Sequence, residues 1–396
     1  LDISRFKEVA IKRSDFSILC LQGFCIAFNV ASVSAIVPSI ASDFGISDFV
    51  AGRINWAYML PYGIMALLYG PLTRVFENRH IAVASLLCFS VFSFLSGIAA
   101  DISQLFVYRL LVGVFAAAIT PLSLIYIADH APQDGRGKAV GLFFSATFIA
   151  DLSGLFLSGI IPWRAMFFIP AVLGAVTAFL TARHFPATLA GSPLGSAERQ
   201  DQVGLRYAEA FRDRGILAAF AYIFLISMLY HGVRQWLGVY FAQELGLRQF
   251  LVSMVLTMAG IAGIFGEALG GFLSDRQGRI PTLKMGLFLM VLSLGILIFF
   301  KAVAALFVIL FIWGLGWTMN HAGLSTHLTD LNKRYIKEIS SLNSSVRFVS
   351  GGLGVIVGGW VMQRGFVLGF VIFAVVLFLM YLQTDRILQG EKKWNS

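Results

Sequence analysis

Continuous apolar runs of about 20 residues or more recur from Phe16 to Gln383, each long enough to cross the hydrocarbon core of a bilayer. About twelve can be drawn, at 16–40, 51–72, 81–99, 104–127, 139–161, 165–184, 215–242, 249–273, 282–300, 304–327, 339–362 and 366–384. Apolar and polar residues do not alternate within them, so they predict helices and not barrel strands. With 58% hydrophobic residues and only 13% charged, the chain reads as an all-α polytopic membrane protein.

The net charge of +9 is distributed by topology and does not point to nucleic acid. When alternate loops are assigned to opposite sides, one side holds about 22 of the 30 Lys and Arg residues and the other about five. That asymmetry, like the even number of spans, places both termini in the cytoplasm. The first apolar run is too long for a cleavable signal peptide and leads straight into the array. Cys20, Cys25 and Cys88 all fall in apolar segments, which supports neither a disulfide framework nor a zinc site. Short external loops and compact length fit a bacterial inner membrane.

A compositional break rich in Pro, Gly, Ser and charge divides the array. It predicts a six-helix bundle over 1–184, a cytoplasmic linker over 185–214 and a second six-helix bundle over 215–396. Within the linker, a solvated tether is the favoured reading of Tyr207–Arg214, with a short amphipathic helix as the alternative. A charged turn, Gly271-Phe272-Leu273-Ser274-Asp275-Arg276-Gln277-Gly278-Arg279, follows the eighth span. A worn copy stands half a chain length earlier at Gly70–Arg79. Duplicated membrane halves are a mark of secondary transporters.

Three further patterns accompany the turn: Arg109-Leu110-Leu111-Val112-Gly113 in the fourth span, Pro162-Trp163-Arg164-Ala165-Met166-Phe167 between the fifth and sixth, and Arg136-Gly137-Lys138-Ala139 at the start of the fifth. With these, nearly the whole chain resembles the major facilitator superfamily, and in particular bacterial proton-coupled efflux permeases. The resemblance implies alternating access, spans 1, 4, 7 and 10 lining a cavity, spans 3, 6, 9 and 12 facing lipid, a monomer and no cofactor. It also implies that Asp275 latches against the start of the fifth span near Lys138, and that Arg109 assists proton movement or gating.

Within the turn, Gly271 is expected to permit close helix packing, and Arg276 and Arg279 to complete the gate. The first copy has Arg74 where Asp275 stands in the second. Glu338, at the start of the eleventh span, is a candidate partner for Arg74; Arg74 resting in water is the equal alternative.

Ionisable residues inside spans cost roughly 2.5–3.5 kcal/mol each on insertion scales, so each needs a partner, a cavity or a function. They are Arg109, Asp151, His231, Arg234, Glu267, His321, His327 and Arg347. Asp151, mid-span beside a face of Ala146, Ala150, Gly154 and Ser158, suits proton coupling and, equally, structural pairing. Glu267 and Arg347 have similar depth, which favours an ion pair between them over a proton relay.

Ser227, Tyr230, His231 and Arg234 share one helical face, as do Trp313, Trp317, Asn320 and His321. With Asn29 of the first span, His231, Arg234, Trp317, Asn320 and His321 are the candidate solute-binding residues. Trp313 has the alternative of an interfacial or lipid-facing anchor.

The leading expectation is therefore a secondary active transporter of a small organic solute, driven by protons in the efflux direction. Uptake of an organic anion, or a transport-inactive scaffold, are the alternatives. Gly351-Gly352-Leu353-Gly354 lies in an apolar span and is read as helix packing, not nucleotide binding. No metal site and no enzymatic chemistry are expected.

Overall fold

The computed structural model describes residues 12–73, 75–131, 133–185, 203–331 and 333–389. In chain order the helices are α1 (Arg13–Ala31), α2 (Val33–Phe44), α3 (Asp48–Ala51), α4 (Arg53–Leu72), α5 (Asn78–Gly97), α6 (Ile102–Ala116), α7 (Ile119–His130), α8 (Gln133–Leu157) and α9 (Ala165–His184). They continue with α10 (Val203–Ala210), α11 (Arg214–Gln243), α12 (Gln249–Gln277), α13 (Arg279–Phe299), α14 (Val303–Asp330), α15 (Ile336–Met362) and α16 (Phe366–Gln389). Among the described residues there is no strand.

Every predicted span finds its helix. The first is realised as α1 and α2, interrupted at Ser32, and the fourth as α6 and α7, interrupted at Ala117–Ala118. Among the described residues, 11 helical stretches are long and apolar enough to cross a membrane. The 20-residue α4 accounts for the second predicted span. The segment read mainly as a tether carries a short helix, α10.

Local chemistry sets the helix ends. Asp101 caps α6 by accepting from the amides of Ser103 and Gln104 at 2.8 and 2.9 Å, and Asp213 caps α11 through Gly215 and Ile216. Gly278 takes φ +97° between α12 and α13, a conformation that side-chain-bearing residues rarely adopt. The second glycine of the charged turn is thus required by the backbone.

The chain forms two compact units: Leu1–Val33 with Ala57–Ser196, and Ser34–Trp56 with Ala197–Ser396. In the first, α1 packs along α8, and α5 along α6 and α9. The small face beside Asp151 lies in the α1–α8 contact, where Gly154 sits against the Phe28 carbonyl and Ala150 and Ser158 are buried. In the second unit, α12 and α13 pack on α14, α11 on α15, and α13 on α16. Both units expose large apolar side chains on the spans expected to face lipid: Phe94 on α5, Val172 and Phe179 on α9, Phe288 on α13, and Val375 and Leu379 on α16. Apolar surface this extensive requires a hydrocarbon surround.

The grouping of Ser34–Trp56 with the second half departs from the expected boundary at the central linker. Amide side chains hold the segment there. Gln243 donates to the Asp48 carboxylate, Asn55 to Gln235, and Gln249 to the Ala35 carbonyl at 2.8 Å, while Ser39 donates to Gln249 at 3.2 Å. Phe49 packs on Trp236 with ring centres 4.8 Å apart. Burial raises the Asp48 carboxyl above the usual carboxylate range, and the Gln243 hydrogen bond opposes this only in part.

A carboxyl whose pKa is higher folded than unfolded takes up its proton first in the folded state. Its contribution to stability therefore grows as pH falls through the folded value, and its cost is fully present above it. Thermal unfolding of wild type and Asp48→Asn should accordingly converge at acidic pH. They should diverge at neutral pH, where the wild type carries the buried charge. Parallel curves across that window would refute a strained Asp48.

The contact between α11 and α15 depends on missing side chains. A Cβ on Gly354 would land on the Met228 carbonyl oxygen, and one on Gly358 on that of Gly232. Gly354→Leu is expected to cost about 1–3 kcal/mol through overpacking, read as a lowered unfolding temperature in detergent. Gly295→Leu on α13, where an added Cβ meets open space, should have little effect in the same assay.

Candidate functional site

In the first unit the polar centre is Arg109, fully buried on α6. Its Nη1 donates to Asn29 Oδ1 on α1, and Asn29 Nδ2 donates to Ser93 Oγ on α5 at 3.3 Å. The guanidinium carbon lies 4.7 Å from the ring centre of Tyr58 and 5.5 Å from that of Phe167. Among the described residues no carboxylate pairs with it. Its Nε and Nη2 lack hydrogen-bond partners, as does the buried Tyr58 hydroxyl.

The R-x-x-x-G spacing now has a physical reason. One turn beyond Arg109, Gly113 lets α6 rest on the Tyr58 carbonyl of α4, and this approach brings the guanidinium under the Tyr58 ring. Gln22, also on α1, is consumed by structure: it donates to Thr181 at 2.7 Å and accepts from Ser123 at 3.3 Å. Asp151 is half-buried on α8. Arg164 donates to the Gly97 and Ala99 carbonyls at 3.1 and 2.9 Å, satisfying the open end of α5 and accounting for the W-R junction.

In the second unit, aromatic rings converge between α11 and α14. Tyr230 stacks on Trp317 with ring centres 3.8 Å apart and planes 6° apart, and lies nearly parallel to Trp313 at 5.7 Å. His231 meets Trp317 edge-on at 6.0 Å, and the Arg234 guanidinium stands 6.0 Å from the Tyr230 ring centre. Trp313 and Tyr230 are buried, whereas Trp317 is only half-buried, so the stack ends in an accessible ring. Trp313 is therefore an interior residue and not a lipid-facing anchor.

One turn from Trp317, His321 Nδ1 lies 2.7 Å from Glu267 Oε1 of α12, with both side chains partly exposed. Arg347, expected as the ion-pair partner of Glu267, feels its charge but makes no direct contact with it among the described residues. Arg347 instead donates to Asn343 at 2.8 Å on its own helix, while its backbone carbonyl accepts from Ser227. Asn320 is also corrected. Its side chain turns into the bundle and donates to the Tyr222 hydroxyl at 3.0 Å and the Leu283 carbonyl at 3.1 Å, away from the face that His321 shares with Trp317.

The charged turn closes on itself within this unit. Arg279 binds Asp275 at 2.7 Å, Ser274 at 3.1 Å and Asp330, at the end of α14, at 2.8 Å. Arg276 stands 5.6 Å from the Phe272 ring centre. Gly271 does not make the expected close approach, since a Cβ there would meet nothing. The neighbouring Gly270 does so, against Met319. Arg74 and the side chain of Glu338, expected as partners, lie outside the described residues.

Sequence reasoning missed Tyr58 and the amide set Asn55, Gln235, Gln243 and Gln249. A search for ionisable groups passes over them; uncharged amides within apolar runs were the available signal.

The Major Facilitator Superfamily model matches residues 19–355. A purine ribonucleoside efflux pump, NepI, of Salmonella paratyphi B is 23% identical over 370 residues, covering 91% of this chain and 90% of the pump. The MFS-type transporter YceJ of Bacillus subtilis is 23% identical over 67% of this chain and 68% of its own. Among solved structures, a bacterial homologue of the human lysosomal transporter Spinster superposes with a TM-score of 0.76 at 14% identity, covering 95% of this chain and 97% of that one. The nucleoside transporter NupG gives 0.74 at 14% identity, covering 94% and 98%.

A buried guanidinium whose one side-chain acceptor among the described residues is an amide makes a sharp test. Asn29→Leu should destabilise the protein by about 1–3 kcal/mol, the cost of stranding a buried polar group. Asn29→Asp, which supplies a counter-charge, should retain most of the stability. Thermal unfolding of the two variants decides, and equal losses would contradict the assignment.

Proposed function

This chain belongs to the Major Facilitator Superfamily, and from that membership we propose that it is a proton-coupled exporter of planar heteroaromatic solutes of the purine ribonucleoside class. The observation that carries the reading is the Glu267–His321 pair standing one helical turn from the Trp317 stack. A stacked aromatic surface with an accessible end binds a flat heterocycle, and His231 and Arg234 beside it supply hydrogen-bonding groups. A carboxylate and an imidazole in contact hold or release a proton together. Placed next to the stack, the pair couples its charge to occupancy of the site.

Similarity to NepI, named as a purine ribonucleoside efflux pump, supports both the solute class and the outward direction. Asp151 and Arg109 are the corresponding proton-handling candidates in the first unit. The Asp275–Arg279–Asp330 network with Arg276 is a gating element at the Lys- and Arg-rich end. The bacterial relatives and the charge asymmetry support an inner-membrane location with cytoplasmic termini.

Proteoliposomes with an imposed pH gradient, assayed with radiolabelled purine and pyrimidine ribonucleosides and with free ribose, test the reading. Purine ribonucleoside should move against the proton gradient. Glu267→Gln should abolish gradient-driven movement while leaving solute exchange intact. Trp317→Ala should weaken binding by about tenfold, the scale of one lost base–aromatic stack. Transport indifferent to the gradient and to both variants would overturn the proposal. Loss of gradient dependence in Asp151→Asn but not in Glu267→Gln would transfer proton coupling to α8.

A further inference from the structure

On the second unit, α13 and α16 line a groove of about 590 Å³ formed by Ile280, Pro281, Lys284, Met285, Phe288, Tyr381 and Asp385. Its walls are apolar, and Met285 and Phe288 are 43% and 53% exposed. These helices belong to the set whose large apolar side chains face outward, so hydrocarbon is their solvent. In that setting a charged pair stands out. Lys284 Nζ donates to Asp385 Oδ2 at 2.6 Å and lies 5.1 Å from the Tyr381 ring centre.

The depth of the pair is informative. Lys284 follows the first residue of α13 by little more than one turn, and Asp385 precedes the last residue of α16 by about one turn. Both therefore lie roughly 6–8 Å inside the helix ends at 1.5 Å per residue, close to the boundary between headgroups and acyl chains. This end also carries the Lys- and Arg-rich turn at Arg276 and Arg279. A lone lysine at such depth would snorkel into water, but this one is held back by an acid on the neighbouring helix.

Neither partner is saturated. The ammonium has three donors, of which one reaches Asp385 Oδ2, and among the described residues no hydrogen bond reaches the partly exposed Asp385 Oδ1. Lys284 and Asp385 remain 28% and 45% exposed. The groove therefore presents, side by side, a cation with spare donors, a carboxylate oxygen with spare acceptor capacity, and an apolar channel running along α13 past Met285 and Phe288.

We infer that this groove is a phospholipid site for a zwitterionic headgroup bearing a primary ammonium. The lipid phosphate accepts from Lys284, the headgroup ammonium donates to Asp385 Oδ1, and an acyl chain lies along Phe288 and Met285. An anionic headgroup satisfies Lys284 but sets a negative charge against Asp385. A choline headgroup carries the positive charge but has no N–H to donate to the carboxylate. The site thus discriminates by hydrogen bonding as well as by charge.

Native mass spectrometry of the full chain, released from mixed vesicles containing ethanolamine, choline and glycerol phospholipids with identical acyl chains, tests this in the wild-type protein. The ethanolamine lipid should be retained over both others by roughly tenfold, the scale of a lost charge-assisted hydrogen bond. The double variant Lys284→Gln with Asp385→Asn keeps a hydrogen-bonded link between α13 and α16 and should lose that preference while unfolding at a similar temperature. Equal retention of the three lipids, preference for the glycerol headgroup, or an unchanged preference in a folded double variant would each overturn the assignment. Should the double variant not fold, the wild-type competition decides alone.

Discussion

Helices in a bilayer gain nothing from leaving lipid for one another, because acyl chains are as apolar as leucine. What joins them must be close contact, and the second unit achieves it by backbone meeting backbone. Gly354 and Gly358 place α15 on the Met228 and Gly232 carbonyls of α11, and Gly286 and Gly316 bring α13 and α14 together. The candidate site in that unit is hung on these contacts. Tyr230 and Arg234 flank Gly232, and Trp317 follows Gly316. The aromatic stack is therefore as rigid as the glycine seams beside it.

Polar groups inside such bundles can be divided by whether their bonding capacity is used up. Gln22 and Arg164 spend theirs on neighbouring helices and act as ties. Arg109 does not: it keeps two nitrogen groups unpaired in full burial, beside an unpaired tyrosine hydroxyl. Glu267 and His321 are paired with each other but remain partly exposed. Groups with unspent capacity or retained access are the ones able to change partner or protonation state during transport, whereas the ties fix the frame around them.

Hydropathy made the spans legible, and charge spacing made the turn at Gly271–Arg279 legible, because both are properties of position along the chain. The misplacements share one origin. An α-helix turns by about 100° per residue, so depth along a helix is far easier to read than direction around it. Gly271 was expected to make the close contact that Gly270 makes. Asn320 was grouped with His321, yet the one-residue step turns it into the bundle. Glu267 has His321 and Arg347 at comparable depth, and only the packing of α12 on α14 selects the histidine. The uncharged amides holding Ser34–Trp56 were invisible for a different reason, since the cost of burying an amide becomes apparent only when its partner is known.

The two polar centres differ in a way that bears on coupling. In the first unit, among the described residues, the Arg109 guanidinium is answered by an amide and two aromatic rings. In the second, the Glu267 carboxylate and the His321 imidazole stand in contact, partly exposed, a helical turn from the accessible end of the Trp317 stack. On the proposed reading, a flat solute on Trp317 would displace water from around that pair and make its charged state more costly. Solute binding and proton occupancy would then be linked through a shared dielectric without direct contact, and by reciprocity the proton would alter solute affinity by the same factor. On the proposed reading, coupling is assigned to the place where an acid and a base meet beside the aromatic surface.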